Sequence, residues 1–407
     1  MLKLPSAAAL FLLASTAGAA QVAPTWFGAW SAPPIAYEPE IRDALGRPFR
    51  DETVRQIVGI ASAGSAIRLR LSNELSDTPL RIGAASVARL DARGAVVPGS
   101  RRPLAFAGSA STVIPANAPF YTDSLDLPLR AGERLAVSLY YPDEAAPPAH
   151  AQMVDIAAGD QTGRDQLAAP ARFRAPGLVS AVEVSGSPRR VLVAFGDSIT
   201  EGAGASPNKQ MSYPDQLARL LAARPASRCW SVVNAGISGN RLLHDGRGPN
   251  ALARFDRDVL AVPGITHVLL LEGINDIGKI SDPAKRDQIV SADQIVAAYR
   301  QLLARAHARR VKVIMGTLLP YEGAAYADAE GEAKRQTVNR WIRANRSQFD
   351  GLVDFDTVMQ EPGKAKVMRL DSQIDDHLHP NDQGYARMAQ AAAGLVGRIS
   401  CTGFQVR

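Results

Sequence analysis

A change of rhythm near residue 188 constrains this chain more than any other feature. From Arg189 onward, short apolar runs alternate with stretches of helical periodicity. Val191–Phe195, Trp230–Asn234, Val268–Leu271, Lys312–Thr317 and Leu352–Asp354 read as strands, with helices over Tyr213–Ala223, Ala292–Ala308, Ala329–Asn345 and Gln383–Val396. Strands apolar at nearly every position are buried on both faces, which belongs to a parallel sheet covered by helices. The expected fold is α/β, a doubly wound, flavodoxin-like, five-stranded parallel sheet. Function in such a sheet collects beyond the carboxyl ends of the strands.

Before that boundary the period is two. Ile67, Leu69 and Leu71 take one face and Arg68 and Arg70 the other, and Leu135, Val137 and Leu139 repeat the pattern. Turn signals such as Asp91-Ala92-Arg93-Gly94 and Ala131-Gly132-Glu133 separate these runs, and no amphipathic helix interrupts them. The pattern predicts an antiparallel, jelly-roll-like β-sandwich over residues 20–187, a boundary near Ser185-Gly186-Ser187-Pro188, and an α/β domain over residues 188–407.

At the N-terminus Lys3 precedes the apolar stretch Ala7 to Ala14, and Ala17-Gly18-Ala19 offers a small-residue cleavage site. Residues 1–19 read as a signal peptide, so the mature chain is expected to be secreted or periplasmic. The apolar stretch is shorter than the ~20 residues that span a bilayer, and no stable membrane span is expected. A hydrophobic share of 46% with 21% charged residues excludes wholesale disorder. The formal charge of +6, one less without Lys3, is spread along the chain, so no nucleic-acid partner is expected.

Four loops carry the chemistry. The first strand ends in Gly196-Asp197-Ser198-Ile199-Thr200, presenting a serine at a strand-to-helix turn. It is not the G-x-S-x-G elbow, because Thr200 stands where that motif has its second glycine. The serine could be a nucleophile or a helix cap. After the second strand, Gly236-Ile237-Ser238-Gly239-Asn240 can turn a backbone N–H inward, or serve as a plain turn. After the third, Gly273-Ile274-Asn275-Asp276 sets a side-chain amide at the same edge. Before the last helix, Asp375-Asp376-His377-Leu378-His379-Pro380 places acids within one turn of histidines, as an orienting acid and base require. Asp376 lies three residues before His379, while Asp375, Asp371 and His377 remain rivals. A metal site is the other use of such a cluster, but ligands elsewhere are lacking, and neither metal nor cofactor is expected.

Taken together, Ser198, Gly239, Asn275 and Asp376 with His379 resemble the four blocks of the SGNH/GDSL hydrolase family, over about Arg189 to Ile399. The region before them looks, more loosely, like the β-sandwich that precedes the hydrolase in one bacterial subgroup. Ile199 replaces the family's frequent leucine. The resemblance implies a serine esterase working through an acyl-enzyme, with Ser198 as nucleophile, His379 as base and Asp376 as its orienter. The Ser198 N–H, Gly239 N–H and Asn275 amide would form the oxyanion hole. Unless shifted, an imidazole of ordinary pKa ~6.5 would give activity rising through mildly acidic pH. Family members with an added sandwich often act on polysaccharide decorations, so a carbohydrate O-acetyl ester is the first expected substrate and a short-chain lipid or acyl ester the second. A catalytically silent carbohydrate-binding protein is the reading from another class, although Tyr140, Tyr141 and Trp26, which could stack on a sugar, suit core positions better.

Cys229 and Cys401 are the only cysteines. In an exported chain they favour a disulfide. Cys229 opens the second strand and Cys401 follows the last helix. In a 2-1-3-4-5 strand order the first and last helices share a face, which brings these two ends together.

Overall fold

The computed structural model describes residues 25–36, 45–148, 150–186, 190–278, 280 and 283–401. The expected signal peptide, and residues 187–189 of the expected boundary, lie outside these. From Trp26 to Ser185 the described elements are all strands, forming two large antiparallel sheets and a small two-stranded one of Leu80–Ile82 with Thr112–Ile114. One runs in the order Trp26–Ser31, Val179–Ser185, Gly64–Ser72, Pro119–Tyr121, with Leu125–Leu129 also paired to Gly64–Ser72. The other runs Ala171–Gly177, His150–Ala158, Glu52–Gly59, Arg134–Tyr141, Ala84–Leu90, Arg102–Pro103. The period-two face explains the packing: Ile67, Leu69 and Leu71 meet Leu135, Val137 and Leu139 in one buried core. On the opposite face, Arg68 pairs with Glu183 at 2.6 Å and stacks over Trp26 and Tyr121. Tyr141 stacks on Phe49 inside the core, and the Tyr140 hydroxyl donates to Asp51, so structure uses both tyrosines.

The remainder is the expected doubly wound sheet. Five parallel strands lie in the order Trp230–Gly236, Arg190–Gly196, Ile265–Leu271, Lys312–Gly316, Gly351–Val353, which is 2-1-3-4-5 in chain order. Val191 to Phe195 are wholly buried, as the unbroken apolar run requires. Helix Tyr213–Ala222 packs on Asp382–Val396, and Ala292–Ala308 packs on Ala329–Ala344. Short elements escaped the periodicity: helix Ala251–Phe255 with its π-helical continuation Asp256–Leu260, and a hairpin of Gln360–Glu361 with Lys364–Met368. Each is too short to hold a period.

The pairing of the first and last helices brings Cys229 and Cys401 into a disulfide with a Cα–Cα distance of 5.8 Å, closing a separation of 172 residues. Because the bond mainly restricts the unfolded chain, its removal should cost about 2–4 kcal/mol. Urea unfolding of the Cys229→Ser/Cys401→Ser chain should therefore move to a lower midpoint with turnover intact. An unchanged midpoint would show that the bond contributes nothing.

Candidate active site

Close backbone approach builds the first loop. A Cβ on Gly196 would stand 2.0 Å from the Leu271 carbonyl oxygen and 2.3 Å from Thr200 Oγ1, and one on Gly236 would stand 2.1 Å from the Glu201 nitrogen. Only glycine lets the first two strands end this tightly against the Ser198–Glu201 turn. Asp197, not Ser198, is the cap, its side chain accepting the Ile199 N–H at 2.9 Å. Relieved of capping, the Ser198 hydroxyl is free to serve the fourth loop.

That loop supplies a continuous chain of contacts. His379 Nε2 lies 2.8 Å from Ser198 Oγ, and His379 Nδ1 lies 2.5 Å from Asp376 Oδ2. The other oxygen, Asp376 Oδ1, accepts the Leu378 and His379 N–H groups at 3.0 and 2.8 Å. Burial tends to raise this carboxyl's pKa, but the His379 N–H, the His379 ring and the Leu378 N–H hold it below the usual range. The rivals lie elsewhere. Asp371 accepts from Ser372 and Arg387, and His377 is bound to Gln373 through its backbone N–H and ring. Asn381 caps the last helix, accepting from Gln383 and Gly384.

The second and third loops meet beside this chain. Asn275 donates through Nδ2 to the Asn240 carbonyl at 2.9 Å, and its Oδ1 accepts from the Tyr326 hydroxyl at 3.3 Å. Gly239 sits at φ +74°, in the left-handed region that favours glycine. Among the described residues, neither the Ser198 N–H nor the Gly239 N–H has a hydrogen-bond acceptor. These two and the second hydrogen of the Asn275 amide are the donors left over at the site.

Beneath lies a group that motif reading missed. Arg254 is fully buried and donates to the carbonyls of Gly196 and Ala235 and to Asn240 Oδ1, at 2.8, 2.9 and 2.8 Å. It pairs with Asp258 at 3.2 Å and, more distantly, with Glu272 at 3.7 Å. Burial is the largest influence on Asp197, Glu272 and Asp276. Asp197 is pushed up to about 7 and Asp276 to about 6, and Glu272 is raised well above its ordinary value with Asp197 adding to the effect. Its only trace in the sequence is an arginine amid the apolar run Ala251-Leu252-Ala253-Arg254-Phe255. Among the described residues, no group of three or more His, Cys, Asp or Glu side chains could hold a metal ion.

A hydroxyl, an imidazole and a carboxylate in line at the carboxyl edge of a doubly wound sheet are the parts of an acyl-transfer site. Residues 194–387 match the model of the GDSL-like Lipase/Acylhydrolase family, and this part of the chain is a domain of that family, whose members hydrolyse esters. Solved structures resembling the chain include an alpha/beta hydrolase enzyme from the metagenome of Lake Arreo, Spain, 24% identical over 52% of this chain and 97% of its own, with a TM-score of 0.42. Another is a member of the lipolytic protein G-D-S-L family from Veillonella parvula, 19% identical over 52% of this chain and 100% of its own, TM-score 0.39. A third is a mutant of an acetyl-xylooligosaccharide esterase from Geobacillus Stearmophilus, 24% identical over 54% of this chain and 97% of its own, TM-score 0.42. No curated protein matches the chain.

Proposed function

We propose that this chain is an exported serine esterase acting through an acyl-enzyme, with carbohydrate O-acetyl esters as its substrates. The observation that carries the reading is the unbroken contact from Asp376 through His379 to Ser198. Ser198 Oγ attacks the ester carbonyl carbon while its proton passes to His379 Nε2. The tetrahedral oxyanion is received by the Ser198 and Gly239 N–H groups and the Asn275 amide. Collapse breaks the bond to the alcohol oxygen, which takes the proton from His379. Water, deprotonated by the same nitrogen, then attacks the acyl carbon, and collapse of the second intermediate releases the acid and restores Ser198. Throughout, Asp376 holds Nδ1–H and offsets the imidazolium charge.

Polar neighbours favour a sugar as the alcohol part. The Arg247 side chain lies over Gly239, the Tyr326 hydroxyl bonds Asn275, and His377 and Gln373 bond each other beside the His379 loop. Such groups can hydrogen-bond the hydroxyls of a sugar. The disulfide suits an oxidising compartment, in keeping with export. No helix among the described residues is long and apolar enough to cross a membrane.

The test is a series of p-nitrophenyl esters run beside acetate release from acetylated xylan and pectin. Acetate should be turned over fastest, the rate should fall as the acyl chain lengthens, and at least one acetylated polysaccharide should lose acetate. Faster turnover of octanoate than acetate, with no acetate released from either polymer, would transfer the reading to lipid or acyl esters. Glycan binding without turnover of any ester would make the protein a binding module.

A further inference from the structure

The sandwich is built into the hydrolase domain. Phe27 is wholly buried and belongs to the hydrolase core, the Gly28 N–H donates to the Pro263 carbonyl at 3.0 Å, and Ser231 Oγ donates to the Gly28 carbonyl at 2.6 Å. Ser31 Oγ donates to the carbonyl of Asn234 at 2.6 Å, two residues before Gly236. A strand anchored at so many points holds the rest of the sandwich in a fixed position against the site.

One side chain of the nucleophile turn receives that anchoring. Glu201 ends the Ser198–Glu201 turn, and its two carboxylate oxygens have different partners. Oε1 is 3.0 Å from Arg174 Nη2 and 3.3 Å from His150 Nε2, both on adjacent strands of the sandwich. Oε2 accepts the backbone N–H of Ser238, the residue before Gly239. Although burial tends to raise this carboxyl, His150 and Arg174 together with the hydrogen bonds bring it down to about 2, so it is ionised under any working condition. The carboxylate also borders a cavity of about 400 Å³ between the domains, lined in part by Trp30, Gln152 and Asn208. The carboxylate is held there by the ion pairs from the sandwich and by the Ser238 N–H.

We propose that Arg174, assisted by His150, is a positioning residue for acyl transfer: through Glu201 it fixes Ser238 and thereby the Gly239 N–H that receives the oxyanion. This rests on the reading of the site given above. Arg174 and His150 touch no reacting atom and act only through Glu201. The consequence is large because an oxyanion donor works only when set within about 0.5 Å of its productive place. A displacement of about 1 Å can cost on the order of 10²-fold in rate. The sandwich thus supplies part of the site's geometry without contacting substrate.

The full-length enzyme, assayed on p-nitrophenyl acetate, tests this with Arg174→Met, Arg174→Lys, Glu201→Gln and the double variant Arg174→Met/Glu201→Gln. Arg174→Met should lower kcat roughly tenfold or more with KM within about twofold, because the lost contact matters only as charge develops on the carbonyl oxygen. Arg174→Lys should recover most of that loss. Glu201→Gln should also lower kcat, and adding Arg174→Met to it should have no further effect, since the arginine acts through the carboxylate. Wild-type kcat in Arg174→Met, or losses that multiply in the double variant, would overturn the proposal. Should Arg174→Met fail to fold by circular dichroism, Arg174→Gln takes its place with the same expected outcomes. Ser198→Ala separates the two levels. If it is inactive while Arg174→Met is unaffected, only this proposal fails, whereas full activity in Ser198→Ala would remove the reading of the site itself.

Discussion

Ser198→Ala and His379→Ala should each lower kcat on p-nitrophenyl acetate by about 10⁴- to 10⁶-fold, and the double variant should be no worse than the poorer single. The expectation follows from division of labour. In the proposed mechanism Ser198 Oγ supplies the electron pair and His379 Nε2, 2.8 Å away, removes the proton, so neither group would work without the other. What survives is catalysis by the oxyanion donors acting on water, some 10³- to 10⁴-fold above solution. Asn275→Ala, which leaves nucleophile and base in place, should lose only ~10²- to 10³-fold, chiefly in kcat. Single-turnover kinetics make the check, because rapid formation of a covalent acetyl group on Ser198 is the event each variant should abolish or slow. Ser198→Ala retaining more than about a hundredth of wild-type kcat would move the nucleophile elsewhere.

Legibility in this sequence follows how locally each feature is encoded. Strands buried on both faces are apolar at nearly every position, so Val191–Phe195 and Val268–Leu271 announced themselves, and their alternation with helices pointed to a doubly wound sheet of order 2-1-3-4-5. That order in turn brought Cys229 to Cys401, which no spacing could have done across 172 residues. The loops with Ser198, Gly239 and Asn275 were legible because each is a short motif at a strand's end, and the one with His379 because it is a short motif before the last helix. Contacts made only by the fold were not. Glu201 stands 27 residues from Arg174, and its link to Ser238 looks like any surface glutamate until the sandwich is docked. Arg254 was hidden for the opposite reason. An arginine within helix Ala251–Phe255 reads as a solvated charge, yet this one is wholly buried and bonded to the backbone of two strands.

Arg254→Met should therefore be among the most destabilising single changes in the chain, costing about 3–5 kcal/mol. The substitution keeps an apolar stem for Phe195, whose ring centroid lies 4.1 Å from the guanidinium carbon, so the loss is of charge and donors rather than bulk. Asp258 and Glu272 lose a cation, and the Gly196 and Ala235 carbonyls lose a buried donor. The pH dependence identifies the cause. Asp197, Glu272 and Asp276 have folded-state pKa values raised by burial, so from the ordinary carboxylate range to about 7 the folded protein holds protons that the unfolded chain has released. Their contribution to stability accordingly falls as pH rises through that window. Arg254 opposes the rise at Asp197 and Glu272, and without it their ionisation is harder still. Urea unfolding at pH 5 and pH 8 should thus show a larger gap between wild type and Arg254→Met at pH 8. A gap below about 1 kcal/mol, or one equal at both values, would mean that the guanidinium is not holding this charge cluster together. Because the same side chain ties down the ends of the strands that lead to Ser198 and Gly239, the folded fraction of the variant should also have a reduced kcat, measured at a temperature well below its transition.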